Sequence, residues 1–218
     1  MSRRTYKLSY LATTVAILAM THSVARSNPQ QKPAQTVAPE GRRTYFPKGT
    51  TNRFADFYSG YLASIDEPSL LAASQDPTTV AYRLVCMYCQ RPDILVIRLS
   101  LKPEWNAAIT TTTATSDIHG KVTVKDRTER TTSVRELDGF FRLVEKAAFW
   151  SMPSSQEDNS GLPKYDAALS QWVFEGARNG TYHVVFREGP EQSPFTDMVR
   201  FLAKDLAKLD DATVPHAN

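Results

Sequence analysis

A carboxylate and an imidazole near the C-terminal end, Glu175 and His183, are the side chains best suited by type and spacing to acid–base chemistry. They sit in the strand-like stretch Trp172 to Arg187, which is long enough to fold into a hairpin. If Trp172 and Phe174 share a buried face with Tyr182, Val184 and Phe186, the loop must hold three residues, Arg178, Asn179 and Gly180. Gly180 then takes the left-handed position that such loops require. Glu175 falls opposite His183, and Arg98 is expected on the same sheet face. A carboxylate so placed could orient the imidazole as a general base. The same arrangement also describes an ordinary cross-strand pair contributing less than about 1 kcal/mol. No serine occupies a Gly-x-Ser-x-Gly setting and no carboxylates are paired at catalytic spacing, so no catalytic residue is assigned. Glu175, His183 and Arg98 stand as a candidate polar cluster.

Cys86 and Cys89 have redox-motif spacing. A thioredoxin-like pair opens a helix whose dipole lowers the thiol pKa, whereas Gln90-Arg91-Pro92 and a second strand follow here. Residues three apart in an extended strand lie about 10 Å apart at Cα, beyond the roughly 7 Å reach of a disulfide. A Cys86–Cys89 bridge therefore requires the first strand to end at Val85 and curl into the turn. It would act as a local clip of about 2 kcal/mol. Buried thiols, a redox pair and metal ligation remain open beside it. Zinc needs two further ligands, and His119, His183 and His216 lack supporting spacing, so no metal or other cofactor is expected.

The elements that position these residues are legible from periodicity. Phe54, Phe57, Tyr58, Tyr61 and Leu62 repeat at helical spacing after Asn52, a helix cap, and predict a short helix to about Ser64. Thr79 to Cys89 and Asp93 to Leu101 predict a hairpin. In its second strand Leu95, Ile97, Leu99 and Leu101 share one side and Ile94, Val96, Arg98 and Ser100 the other. Residues 105 to 116 are threonine-rich and suit an exposed strand, paired with 119 to 131. Ser133 and Glu136 have capping-box spacing ahead of a helix ending near Trp150. A polar loop spans Ser154 to Lys164, and Ser193-Pro194 opens a last helix to about Leu209. The expected fold is α+β: an antiparallel sheet of about six strands packed by two long helices in the C-terminal half, plus a short N-terminal helix.

Residues 1–25 read as a secretory signal peptide. Arg3, Arg4 and Lys7 precede the apolar run Leu8 to Met20, and Ser23-Val24-Ala25 offers a cleavage site. That run is shorter than the roughly 20 residues needed to span a bilayer, so stable membrane insertion after cleavage is not expected. Residues 26–50, rich in Pro and Gln, read as a disordered tether, 51–212 as one α+β domain and 213–218 as a flexible tail. The net charge of +3 resides in the first 25 residues, which leaves the rest balanced and without the basic face that nucleic acid demands.

A wider pattern runs through the chain: Tyr82-Arg83-Leu84, Pro92 with Val96-Ile97-Arg98, Leu137 to Trp150 with Met152-Pro153, and Trp172-Val173-Phe174-Glu175-Gly176 with Gly180-x-Tyr182-His183-Val184-Val185. Over about residues 80 to 207 it resembles a group of small exported bacterial proteins of unknown function. The resemblance implies export and a shared fold and carries no chemistry. Thr110 to Arg130 is threonine-rich where that group has glycines, and Asp166-Ala167 stands in place of Asp-Gly. The functional expectation is a non-enzymatic binding or inhibitor-like protein of the cell envelope, with a protein or small ligand there as partner. It would be periplasmic where an outer membrane exists and secreted otherwise. The alternative is an envelope hydrolase using His183 or a thiol oxidoreductase using Cys86 and Cys89.

Overall fold

Six strands pair antiparallel in a single sheet of order β4-β3-β2-β1-β5-β6. They are β1 (Val80–Met87), β2 (Asp93–Leu101), β3 (Asn106–Ser116), β4 (Val122–Ser133), β5 (Gln171–Arg178) and β6 (Thr181–Glu188). The helices are α1 (Ala55–Ser64), the single turn α2 (Leu70–Ala73), α3 (Val134–Lys146) and α4 (Pro194–Arg200), which continues as a π-helical stretch, Phe201–Leu206. The computed structural model describes residues 43–50, 55–87, 93–102, 106–155, 171–188 and 192–210. The signal segment, most of the tether, Asn52, Cys89, most of the 154–164 loop and the C-terminal tail lie outside the described residues. The α+β expectation is met.

Each face of the sheet is covered, for different reasons. On one face Tyr82, Leu84, Leu95, Ile97, Leu99, Ile109, Trp172, Phe174 and Val185 pack against Leu137, Phe140 and Val144 of α3 and Met198, Val199 and Leu202 of α4 and its extension. Tyr82 is central there, with Phe140 edge-on at 5.2 Å and Phe149, Trp150 and Phe174 all within 6.3 Å. On the other face Tyr58, Tyr61 and Leu62 of α1 pack on Val85, Val96, Val173, Val184 and Phe186. Tyr45 and Phe46 join that second cluster, both buried. Residues 43–50, assigned from composition to the tether, therefore belong to the packed domain from Tyr45 onward.

α3 begins where the sequence places it. Ser133 Oγ accepts from the Glu136 amide while the Glu136 carboxylate accepts from the Ser133 amide at 3.0 Å, closing the capping box. Thr132 adds its hydroxyl to the same carboxylate at 2.6 Å. These donors hold the Glu136 carboxyl down at about 2. The helix ends at Lys146, Ala148 turns left-handed at φ 50°, and a 3₁₀ turn, Phe149–Ser151, carries two aromatics back onto the sheet. There Gly176 is obligatory: a Cβ on it would lie 2.7 Å from the Phe149 ring and 3.0 Å from that of Trp150.

The last hairpin corrects the expected register. Arg178 pairs with Thr181, so the turn holds two residues, not three. Asn179 and Gly180 both have positive φ, 53° and 76°, the requirement of the two-residue turn whose twist matches its strands. Trp172 and Phe174 consequently share the α3 face with Val185, while Val184 and Phe186 point to the α1 face. The premise that all the rings line one side fails because both sides are buried.

β3 is corrected as well. Thr110, Thr111 and Thr112 are buried rather than exposed, since β3 is an inner strand with a neighbour on each side. β4 is the strand that faces solvent, with exposed residues over most of its length.

Two measurements follow. Gly176→Ala forces Phe149 or Trp150 from its seat and is expected to cost about 1–3 kcal/mol in urea unfolding. The depressed Glu136 carboxyl contributes stability that is complete above its unfolded value of 4.5 and fades as pH falls toward about 2. An acid titration followed by circular dichroism should show Glu136→Gln losing that part of the pH dependence.

Candidate functional site

Charged side chains meet on the α1 face because strand register leaves them no other place. Arg83 pairs across β1 and β2 with Arg98 and across β1 and β5 with Glu175. Arg98 in turn lies opposite Thr110, and Thr112 opposite Arg127. With side chains alternating along each strand, all of these residues project from the same face. Glu67 enters from the end of α1. Asp66 adopts φ 55°, its amide bonds to the Ala63 carbonyl, and the Glu67 amide bonds to the Leu62 carbonyl at 3.0 Å. This Schellman closure aims the Glu67 side chain at the arginines.

The pair at the centre is fully buried. Arg83 Nε donates to Glu175 Oε2 at 2.6 Å, and its Nη2 lies 2.6 Å from the same oxygen without hydrogen-bond alignment. Arg83 Nη1 donates to the Pro68 carbonyl at 2.6 Å and stands 3.9 Å from Glu67 Oε2. Tyr182 donates to Glu175 Oε1 at 2.8 Å. Burial raises the Glu175 pKa, and the Arg83 guanidinium and the Tyr182 hydroxyl oppose that rise. The Tyr182 hydroxyl is itself pushed up by burial and by the neighbouring carboxylate.

Around that pair a second layer is held by Glu67, which is 1 % exposed. Arg98 Nε donates to its Oε2 at 3.0 Å, and Arg127 Nη2 lies 3.5 Å from Oε1. Arg127 also donates to the Thr112 hydroxyl at 3.1 Å and to the Ile65 carbonyl. Tyr45 roofs the cluster: its hydroxyl donates to the Glu67 carbonyl at 2.7 Å, and the Arg83 guanidinium lies 5.6 Å from its ring centre. Three guanidinium groups thus face two carboxylates.

Arg98 differs from the buried Arg83 in having an accessible end, and from the more exposed Arg127 in lining a groove. Its side chain is 21 % exposed. Nη1 donates to Ser100 Oγ at 3.2 Å and Nη2 to Thr110 Oγ1 at 3.3 Å, both neutral acceptors. Arg98 and Ser100 line a groove of about 540 Å³ between α2, the 76–80 segment and the ends of β1 and β2. Leu70, Ala73, Val80 and Leu101 form apolar walls, with Asp76 and Lys102 also in the lining. Asp76 is occupied by the Thr78 amide and hydroxyl, and Lys102 by Glu129 at 3.4 Å.

Of the three residues expected to cluster, the structure brings two together. Glu175 and Arg98 share the α1 face, each opposite Arg83. His183 is parted from them, because it pairs with Gly176 and projects to the α3 face. Its ring lies 5.0 Å from Phe149, burial holds its pKa below the usual imidazole range, and no hydrogen-bond partner meets its Nε2 among the described residues. A Glu175-oriented general base is therefore not formed. Cys86 is fully buried, lying opposite Leu95 and Trp172 in β1. β1 runs on through Met87 instead of curling after Val85, so the first half of the expected Cys86–Cys89 clip has the wrong backbone for it; Cys89 lies outside the described residues.

Arg83, Glu67 and Tyr182 escaped the sequence reading. The available signal was a lone arginine in the apolar run Ala81 to Val85 and a lone glutamate between Phe174 and Gly176, since ionised groups within apolar strands must find each other. Among the described residues no group of His, Cys, Asp or Glu is placed to hold a metal ion, and no helix is long and apolar enough to cross a membrane. Comparison of the chain with protein-family models and with curated proteins finds no significant match.

Breaking the central pair should be costly. Arg83→Met leaves Glu175 buried beside only a hydroxyl and is expected to lower stability by about 3–5 kcal/mol, whereas Arg83→Met with Glu175→Leu should regain most of that loss. Urea midpoints of the two variants decide the matter.

Proposed function

We propose that this chain is a non-enzymatic binding protein of the bacterial cell envelope whose ligand sits in the groove between α2 and the β1–β2 edge. The observation that carries the reading is the groove itself. It has an arginine end with the Ser100 hydroxyl beside it, apolar lining, and a volume of about 540 Å³. That size and mixture are those of small-molecule sites, where apolar surface supplies affinity and a few fixed polar groups supply orientation. The base is rigid because Arg98 is anchored by Glu67, which Arg127 and the Schellman turn of α1 also hold. The envelope assignment draws on the signal-like residues 1–25 and on the resemblance to exported proteins. It is a reading of sequence, joined here to a reading of geometry.

A groove-filling variant tests it. Thr79 lines the groove at its edge, so Thr79→Trp occupies the space without touching the ion-pair cluster. Wild type and variant are mixed with aqueous and organic extracts of bacterial envelopes, re-isolated, and the small molecules they retain are identified by mass spectrometry. The expected result is a compound class held by the wild type and absent from Thr79→Trp. Identical retained sets from two equally folded proteins would remove the proposal.

A further inference from the structure

The ionic cluster beneath the groove is not electrically closed. Arg83, Arg98 and Arg127 carry three positive charges against the two carboxylates of Glu67 and Glu175. Of the surrounding charges, Arg43 is matched by Asp66 at 2.6 Å and Lys102 by Glu129, while the Asp76 carboxylate in the groove lining accepts from the Thr78 amide and hydroxyl. Arg83 faces Glu175 deep under Tyr45, and Arg127 leans on Glu67 and the Ile65 carbonyl. Arg98 is the one of the three that lines the groove. Its Nε is spent on Glu67, while the outer pair of nitrogens rests on two neutral hydroxyls at 3.2 and 3.3 Å. Charge-assisted bonds from guanidinium to a carboxylate are shorter and about twice as strong as bonds to neutral acceptors. An anion arriving there would replace the weaker contacts with charge-assisted ones.

The walls restrict which anion fits. Pro68 and Ala73, with the accessible parts of Val80 and Leu101, give the groove apolar lining beside the arginine end, which a small hydrated ion cannot use. From this juxtaposition we infer that the groove binds an amphiphilic monocarboxylate: the carboxylate forks onto Nη1 and Nη2 of Arg98, and its hydrocarbon part lies along Pro68 and Ala73. The inference rests on the groove being the ligand site and adds the chemical class of what enters it. A carboxylate on an apolar body occurs both in a short fatty acid and at the C-terminal end of an apolar peptide.

Isothermal titration calorimetry on the purified full chain, with hexanoate as probe, tests the assignment, with hexanol and inorganic phosphate as controls. Hexanoate is expected to bind saturably and at least tenfold more tightly than either control. Arg98→Gln should weaken hexanoate at least tenfold and leave hexanol unchanged. Because that substitution removes a partner of Glu67, Ser100→Glu is the second variant: it places a carboxylate beside Arg98 and should abolish hexanoate binding in a folded protein. Comparing hexanoate with N-acetylalanylleucine identifies the source, and tighter binding of either supports the class. Equal binding of hexanoate and hexanol, phosphate binding as tightly as hexanoate, or hexanoate binding unchanged in both variants would overturn carboxylate recognition. If Thr79→Trp still abolishes binding in those cases, the groove survives as the site; if Thr79→Trp binds hexanoate like the wild type, the groove reading falls with it.

Discussion

The α1 face of the sheet depends on one contact, the buried ion pair between Arg83 and Glu175. Two charges with no exposure to water are tolerable only when each is held by the other and by further hydrogen bonds. Those further bonds come from distant parts of the chain: the Pro68 carbonyl, the Tyr182 hydroxyl, and Glu67 at longer range. The pair therefore fixes the distance between the end of α1 and the β1–β5 seam. Tyr45 completes the enclosure, and its backbone carbonyl accepts from Tyr182, so the N-terminal segment is tied to the same ions. Such a cluster adds little net stability over a well-packed apolar one. What it specifies is arrangement, because alternative packings would strand a charge.

What the sequence disclosed follows from how much each signal depends on tertiary context. Ser133 with Glu136 and Ser193 with Pro194 are local signals, and both helices begin at those caps. The alternation in β2 was equally direct, with Leu95, Ile97 and Leu99 on one side and Ile94, Val96 and Arg98 on the other. Aromatic parity points to the wrong β5–β6 register because it presumes a single buried face, whereas both faces are covered. When both faces are covered, aromatic parity cannot select a register, and the Asn179-Gly180 dipeptide was the better witness. The threonines of β3 misled in a similar way. A threonine run is neutral between solvent and interior until its hydroxyls have partners, and here Arg98 and Arg127 supply them.

Several residues of the Tyr82 to Leu84 and Trp172 to Val185 segments have physical roles in this chain. Arg83 and Glu175 form the buried pair, Tyr182 caps it, Gly176 yields space to Phe149 and Trp150, and His183 packs edgewise on Phe149. The pattern is thus one of architecture: a polar seam on one side of the hairpin and an aromatic seat on the other. The groove with Arg98 at its base lies apart from most of these positions.

β4 closes the sheet order at one end and carries Lys125, Asp126, Arg127, Glu129 and Arg130 within a few residues. A border so densely charged with both signs is a poor template for another molecule's backbone, since docking there would strip water from each ion. Self-association through strand addition is discouraged on that flank. The same strand that lends Arg127 to the cluster on Glu67 thus carries the charges that shield its own outer edge.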